Sequence, residues 1–136
     1  MKEFWPAKRA RLLVLMGLTH VTVALTPIGA SASTAYEADF LVDTGATDSL
    51  APRSALRAAG FVPVGKTAYE LADGSVVEYE FGIARIEFMG EITGGRVIFG
   101  PDGAEPLLGV TALESVGILV DPANKTLKRL PAIPLK

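Results

Sequence analysis

Segments with a two-residue hydrophobic period, broken at short intervals by turn signals, run through this chain and leave room for little except short strands. In Thr19–Leu25, Val21, Val23 and Leu25 fall on one face and His20, Thr22 and Ala24 on the other. That alternation suits a half-buried strand. Tyr36–Val42 is a second strand, wholly apolar at Phe40-Leu41-Val42, as burial on both faces requires. Lys66–Ala72 and Ser75–Phe81 flank Asp73-Gly74, a two-residue hairpin signal. Ile83–Met89 and Glu91–Phe99 form a pair around Gly90, and Ile118–Val120 and Thr126–Leu130 another around Pro122-Ala123-Asn124. Helical signals are confined to two places. Pro52–Ala59 has proline near its start and Gly60 past its end. Thr111 and Glu114 match a capping box for a helix ending before Gly117. About eight strands and two short helices predict an all-β barrel or sandwich.

The 136 residues suffice for one domain. With no cysteine and a single histidine, His20, the chain excludes disulfide scaffolds, thiolate zinc sites, cysteine nucleophiles and multi-histidine metal cages. His20 reads as a strand side chain. Chemistry is left to carboxylates, hydroxyls, lysines and backbone groups. Charge is uneven: residues 1–11 carry +3 and the remainder −5. A domain of that sign is a poor neutraliser of phosphates, so no nucleic-acid partner is expected.

The amino-terminal segment reads in two ways. Lys8, Arg9 and Arg11, then Leu12–Leu18, then Ala30-Ser31-Ala32, imitate the three parts of a secretory signal. Against this stands the strand alternation from Thr19 to Leu25. Met16-Gly17 would open the folded part, giving an N-terminal extension over 1–15, poorly ordered, and a domain over 16–136. A membrane span is not expected, because the apolar run ends at Thr19-His20 and Pro27 follows.

Phe40-Leu41-Val42-Asp43-Thr44-Gly45-Ala46-Thr47 sets a carboxylate at the end of a buried strand, where ionisation is costly without donors. Gly45 permits a tight turn whose amides point back at that carboxylate. An Asx-turn with no further role is one reading. The segment also resembles the first phosphate loop of the actin and sugar-kinase group, but that fold needs large α/β domains and two such loops. Likeness to the nucleophile loop of haloacid-dehalogenase-type phosphatases is weakened by Gly45 and by the missing alternation of strands and helices. A calcium loop fails because Gly45 and Thr47 stand where oxygen ligands are needed.

Leu41–Thr47 resembles most the active-site signature of the retropepsin-like aspartic proteases. The likeness continues downstream. Tyr69–Phe81, with its Asp73-Gly74 tip, looks like the flap hairpin. Leu107-Leu108-Gly109 before a short helix looks like the apolar-apolar-glycine segment that threads beside the catalytic loop. The resemblance covers about Thr19 to Leu130 and implies a closed β-barrel with a flap hairpin and one or two short helices. It also makes Thr19–Thr26 the first arm of the opening hairpin. Cleavage after Ala32 would then strip a buried strand of its neighbour, which favours retention and a cytoplasmic protein over export.

The resemblance implies an aspartic endopeptidase in which two carboxylates share a proton around one water. The chain holds one Asp-Thr-Gly, so the pair would be Asp43 and its copy across the twofold axis of a homodimer. Asp43, Thr44 and Gly45 would form the catalytic loop, with Thr44 bonding to the partner's loop. Ala46 and the hairpin tip Leu71, Ala72, Asp73, Gly74 and Ser75 would hold an extended peptide, and Leu107, Leu108 and Gly109 would support the loop. No metal and no cofactor are implied. The rival reading is a non-catalytic module that binds peptides or dimerises. Outside this set, Asp48 and Arg53 read as a local surface pair, Tyr69, Tyr79 and Phe81 as packing within the hairpin, and Asp121 as a turn residue.

Overall fold

The structure, a computed structural model, describes residues 12–15, 18–30, 34–121, 123–124 and 126–135. Ten strands and two helices follow in the order β1 (Leu12–Leu15), β2 (Leu18–Pro27), β3 (Tyr36–Asp43), β4 (Ser49–Pro52), α1 (Arg53–Ala58), β5 (Gly65–Glu70), β6 (Val76–Phe88), β7 (Glu91–Gly100), β8 (Leu107–Gly109), α2 (Val110–Ser115), β9 (Ile118–Asp121) and β10 (Thr126–Arg129). Six strands close a barrel in the ring β2-β3-β8-β4-β7-β6, because β2 pairs with both β3 and β6. β1 pairs with the leading end of β2, and β9 and β10 form a separate ribbon. The all-β barrel expected from the alternation is the fold observed. No helix among the described residues is long and apolar enough to cross a membrane.

Alternation puts one face of each strand into a common core. Val21, Val23 and Leu25 of β2, Phe40 of β3, Ala84 and Ile86 of β6, Val97 and Phe99 of β7 and Leu108 of β8 are all essentially inaccessible to water. Each large side chain so buried stabilises the fold by about 1.5–3 kcal/mol. Leu56 of α1 and Leu113 of α2 cover the barrel, and Ile118 and Leu127 join the same core from β9 and β10. Thr19–Leu25 is thus a barrel stave, and β1 lies within the stretch assigned to the extension.

Three local expectations need correction. The Asp73-Gly74 hairpin is not a two-residue turn: Glu70 pairs with Val76, and the Leu71 amide donates to the Ser75 carbonyl at 2.8 Å. The loop proper is therefore three residues, ended by Gly74 at φ 87°. That register is one residue away from the expected one, and a one-residue slip exchanges the faces of an arm. Next, Ser75–Phe81 and Ile83–Met89 are a single strand, β6, which runs through Gly82. A side chain at Gly82 would press on Phe61 and Phe99, both 3.4 Å from an added Cβ, so the glycine serves packing and not chain reversal.

The third correction concerns the Thr111–Glu114 capping box. α2 starts at Val110 after Gly109, with no side-chain cap. Its first amides are satisfied by another segment: Val110 donates to the Ala46 carbonyl at 2.8 Å and Thr111 to that of Thr47 at 3.2 Å. Helix starts leave four amides without intrahelical partners, and here the loop after Asp43 takes two of them.

Candidate active site

The site is built where β8 is wedged between β3 and β4. Val42 pairs with Leu108 and Asp43 with Gly109 in parallel, while Leu50 of β4 pairs with Leu107 in the opposite sense. The loop joining β3 to β4 therefore has to pass around the end of β8. It does so at van der Waals limits. A Cβ on Gly109 would lie 2.6 Å from the Asp48 carbonyl carbon and 2.7 Å from the Thr47 oxygen. The Gly109 amide donates to the buried Ser49 hydroxyl at 3.0 Å. Leu107-Leu108-Gly109 is thus held against the loop on both sides.

Within the loop, Asp43 closes a tight turn. The Ala46 amide donates to its carbonyl at 3.1 Å, and the Gly45 amide to its Oδ1 at 3.0 Å. Gly45 has little room for a side chain, because an added Cβ would stand 3.3 Å from that oxygen. The Asx-turn geometry is therefore present, and the site is built upon it. One carboxylate oxygen is fixed by a backbone donor, while Oδ2 accepts no hydrogen bond among the described residues.

Asp43 lines a cleft of about 670 Å³ between this loop and the β5–β6 hairpin. Gly45, Ala46, Leu71, Ala72 and Leu107, all singled out in the sequence, line it too. Thr44 is exposed beside the cleft loop, and Leu108 is buried in the core behind it. Asp73, Gly74 and Ser75 form the hairpin tip, off the cleft lining. Asp73 Oδ1 accepts from the Ser75 amide at 2.9 Å and from its hydroxyl at 2.6 Å, which hold the Asp73 carboxyl below the ordinary carboxylate range.

The cleft also contains residues that the sequence reading placed elsewhere. Asp48 does not pair with Arg53: its Oδ2 accepts from the Tyr69 hydroxyl at 2.7 Å, and Arg53 reaches Glu80 at 2.7 Å. Tyr69 and Tyr79 line the cleft in addition to packing on each other, with ring centroids 6.3 Å apart. Burial pushes the Tyr69 phenol above its ordinary value, and the bond and charge of Asp48 push it the same way, against a weaker opposite pull from Arg96. Leu50, Ala68 and Ile98 give the cleft apolar walls. The available signal was the hairpin's own alternation. Gly65, Thr67 and Tyr69 share the half-buried face of β5, and Thr67 pairs with Tyr79 across the hairpin.

His20 is a strand side chain, as expected, and its Nε2 lies 2.6 Å from Glu105 Oε2, on the segment leading into β8. Asp121 makes the expected turn, accepting from the Ala123 amide at 3.0 Å and from Asn124 Nδ2 at 2.9 Å.

Comparison with known families gives one finding. A family model described as aspartyl protease matches residues 29–112, which include the Asp43 loop, the hairpin and the Leu107-Leu108-Gly109 segment. No curated protein matches the sequence.

Proposed function

The chain belongs to the aspartyl protease family, with a retropepsin-like barrel, and on that premise we propose that it hydrolyses peptide bonds with a water held between two copies of Asp43 in a symmetric homodimer. The observation that carries this reading is the state of the Asp43 carboxylate. It is anchored through Oδ1 by the Gly45 amide, has Oδ2 uncommitted among the described residues, and lines a cleft of about 670 Å³ under the β5–β6 hairpin. One chain has one such loop, and a twofold axis beside it supplies the second.

Two carboxylates brought together repel, so the pair holds one proton. The ionised member takes a proton from the water as its oxygen attacks the scissile carbonyl carbon. The protonated member gives its proton to the carbonyl oxygen. When the tetrahedral gem-diol collapses, the C–N bond breaks and the leaving nitrogen receives the proton held by the pair. One gem-diol hydroxyl gives its proton back to the pair as the new carboxyl group forms, which restores the starting state. Thr44, exposed beside the loop, bonds to the partner's loop in this reading. The β5–β6 hairpin acts as a flap, covering a peptide bound in extended form and excluding bulk water.

The test is hydrolysis of denatured casein between pH 3 and 8, with and without a statine-type inhibitor. Activity should form a bell in pH, since both the fully protonated and the fully ionised pair are inactive. Asp43→Asn should lower kcat by at least about a thousandfold while the mass in solution stays that of a dimer. Peptide binding without cleavage at every pH would instead identify a binding module.

A further inference from the structure

β5 has few attachments. Among the described residues it is the last strand of its sheet and pairs only with β6, whose facing half, Val76–Glu80, has no other strand partner there. Among the described residues two side-chain hydrogen bonds tie its half-buried face to the barrel. Arg96 of β7, stacked 4.2 Å over the Phe81 ring, donates from Nη1 to Thr67 Oγ1 at 2.9 Å. Tyr69 donates to Asp48 Oδ2 at 2.7 Å, across 21 positions of sequence.

The two ends of the second bond differ in rigidity. Asp48 sits in the loop whose Ala46 and Thr47 carbonyls accept the first amides of α2, and its own carbonyl rests against Gly109. It is a fixed post. Tyr69 belongs to the hairpin, where its ring packs at a tilt against that of Tyr79. Asp48 and Tyr69 both line the Asp43 cleft, and Thr47 and Asp48 also border a void of about 10 Å³ on the Arg96 side. The bond therefore forms part of the cleft wall.

We propose that Tyr69 is a positioning residue whose hydroxyl, bonded to Asp48, fixes the hairpin at the height at which the cleft grips an extended peptide. The consequence for turnover rests on the peptidase reading above, whereas the tether itself stands on geometry alone. A carboxylate acceptor makes the bond stronger than a neutral one would be. Its contribution is made before any bond is broken, by sparing the peptide the cost of ordering the hairpin, so it acts on binding and not on the chemical step.

Tyr69→Phe keeps the ring against Tyr79 and removes the hydroxyl, which donates to Asp48 and also faces Arg96. In the full chain it should raise KM for a peptide substrate about tenfold and leave kcat within about twofold, the effect of losing one charge-assisted hydrogen bond. Hydrogen exchange of the hairpin amides, measured in an Asp43→Asn background, should quicken about tenfold for the same reason. Asp48→Asn, which retains a neutral acceptor oxygen, should preserve part of that protection, and Asp48→Ala should lose it all. Combining Tyr69→Phe with Asp48→Ala should add nothing to either change alone. Exchange unchanged in Tyr69→Phe, additive effects in the double variant, or a loss confined to kcat would each overturn the proposal. If the unaltered protein cleaves no peptide, the peptidase reading fails, while the exchange measurements still decide the tether.

Discussion

A single absent methyl group at position 109 decides whether the Asp43 loop can pass around β8. The Gly109 backbone is ordinary, with φ −81° and ψ 164°, so conformational freedom is not what the glycine supplies. It supplies space, since the nearest obstacles to a Cβ are backbone atoms at 2.6–2.7 Å that cannot swing aside. Gly109→Ala should destabilise the protein by about 1–3 kcal/mol, as overpacking does, read as a lower urea midpoint at unchanged slope. Gly94→Ala is the matched control, because its nearest neighbour would stand at an ordinary 3.7 Å; its cost should stay within about 0.5 kcal/mol. Equal midpoints for the two variants would show that the close approach relaxes at no cost. The same residue explains part of what was legible. Leu107-Leu108-Gly109 stands out in the sequence because two apolar residues precede a glycine, but only the structure shows that the glycine faces the Asp48 carbonyl. The pairing of Tyr69 with Asp48 is not legible, since a hydrogen bond across 21 positions leaves no local pattern.

At the scale of elements, clean alternation marks where strands run, but not their register or their ends, and elements defined by their partners carry no such mark. β2 and β3 declare themselves through Val21, Val23, Leu25 and Phe40. β4 has four residues, ends in proline, and exists because β7 and β8 flank it on either side. The start of α2 is not marked by Thr111, because its first amides are satisfied by the distant Ala46 and Thr47 carbonyls. β2 is the element on which closure depends. It joins β3 through His20–Leu25 and β6 through Val23–Pro27, so its loss exposes two strand edges together with the core. A chain lacking residues 1–32 loses the Val21, Val23 and Leu25 side chains, about 1.5–3 kcal/mol each, which approaches the whole stability of a domain this size. It should show no cooperative thermal transition and should associate into large species in sedimentation. A sharp melt with unaltered far-ultraviolet dichroism would mean that the barrel closes without its first stave.

For the whole molecule, the proposed chemistry makes activity a property of pairs. Each chain holds one anchored carboxylate and one cleft, and in the proposed homodimer neither protomer would suffice alone. The β5–β6 hairpin and the α2-bound loop are complete within one chain, so an Asp43→Asn subunit should fold and pair as well as an unaltered one. A mixed dimer would then hold one carboxylate and one amide, which cannot share a proton and activate water in the same way. Random re-pairing with a ninefold excess of Asp43→Asn subunits leaves about one tenth of the unaltered subunits in fully competent pairs. Specific activity per unaltered subunit should fall to about that fraction once exchange is complete, and dilution below the dimer dissociation constant should lower it further. A competent single-chain site would show neither effect: activity would follow the number of unaltered subunits in a straight line at every mixing ratio. The shape of that curve therefore distinguishes paired from solitary carboxylates without requiring knowledge of the natural substrate.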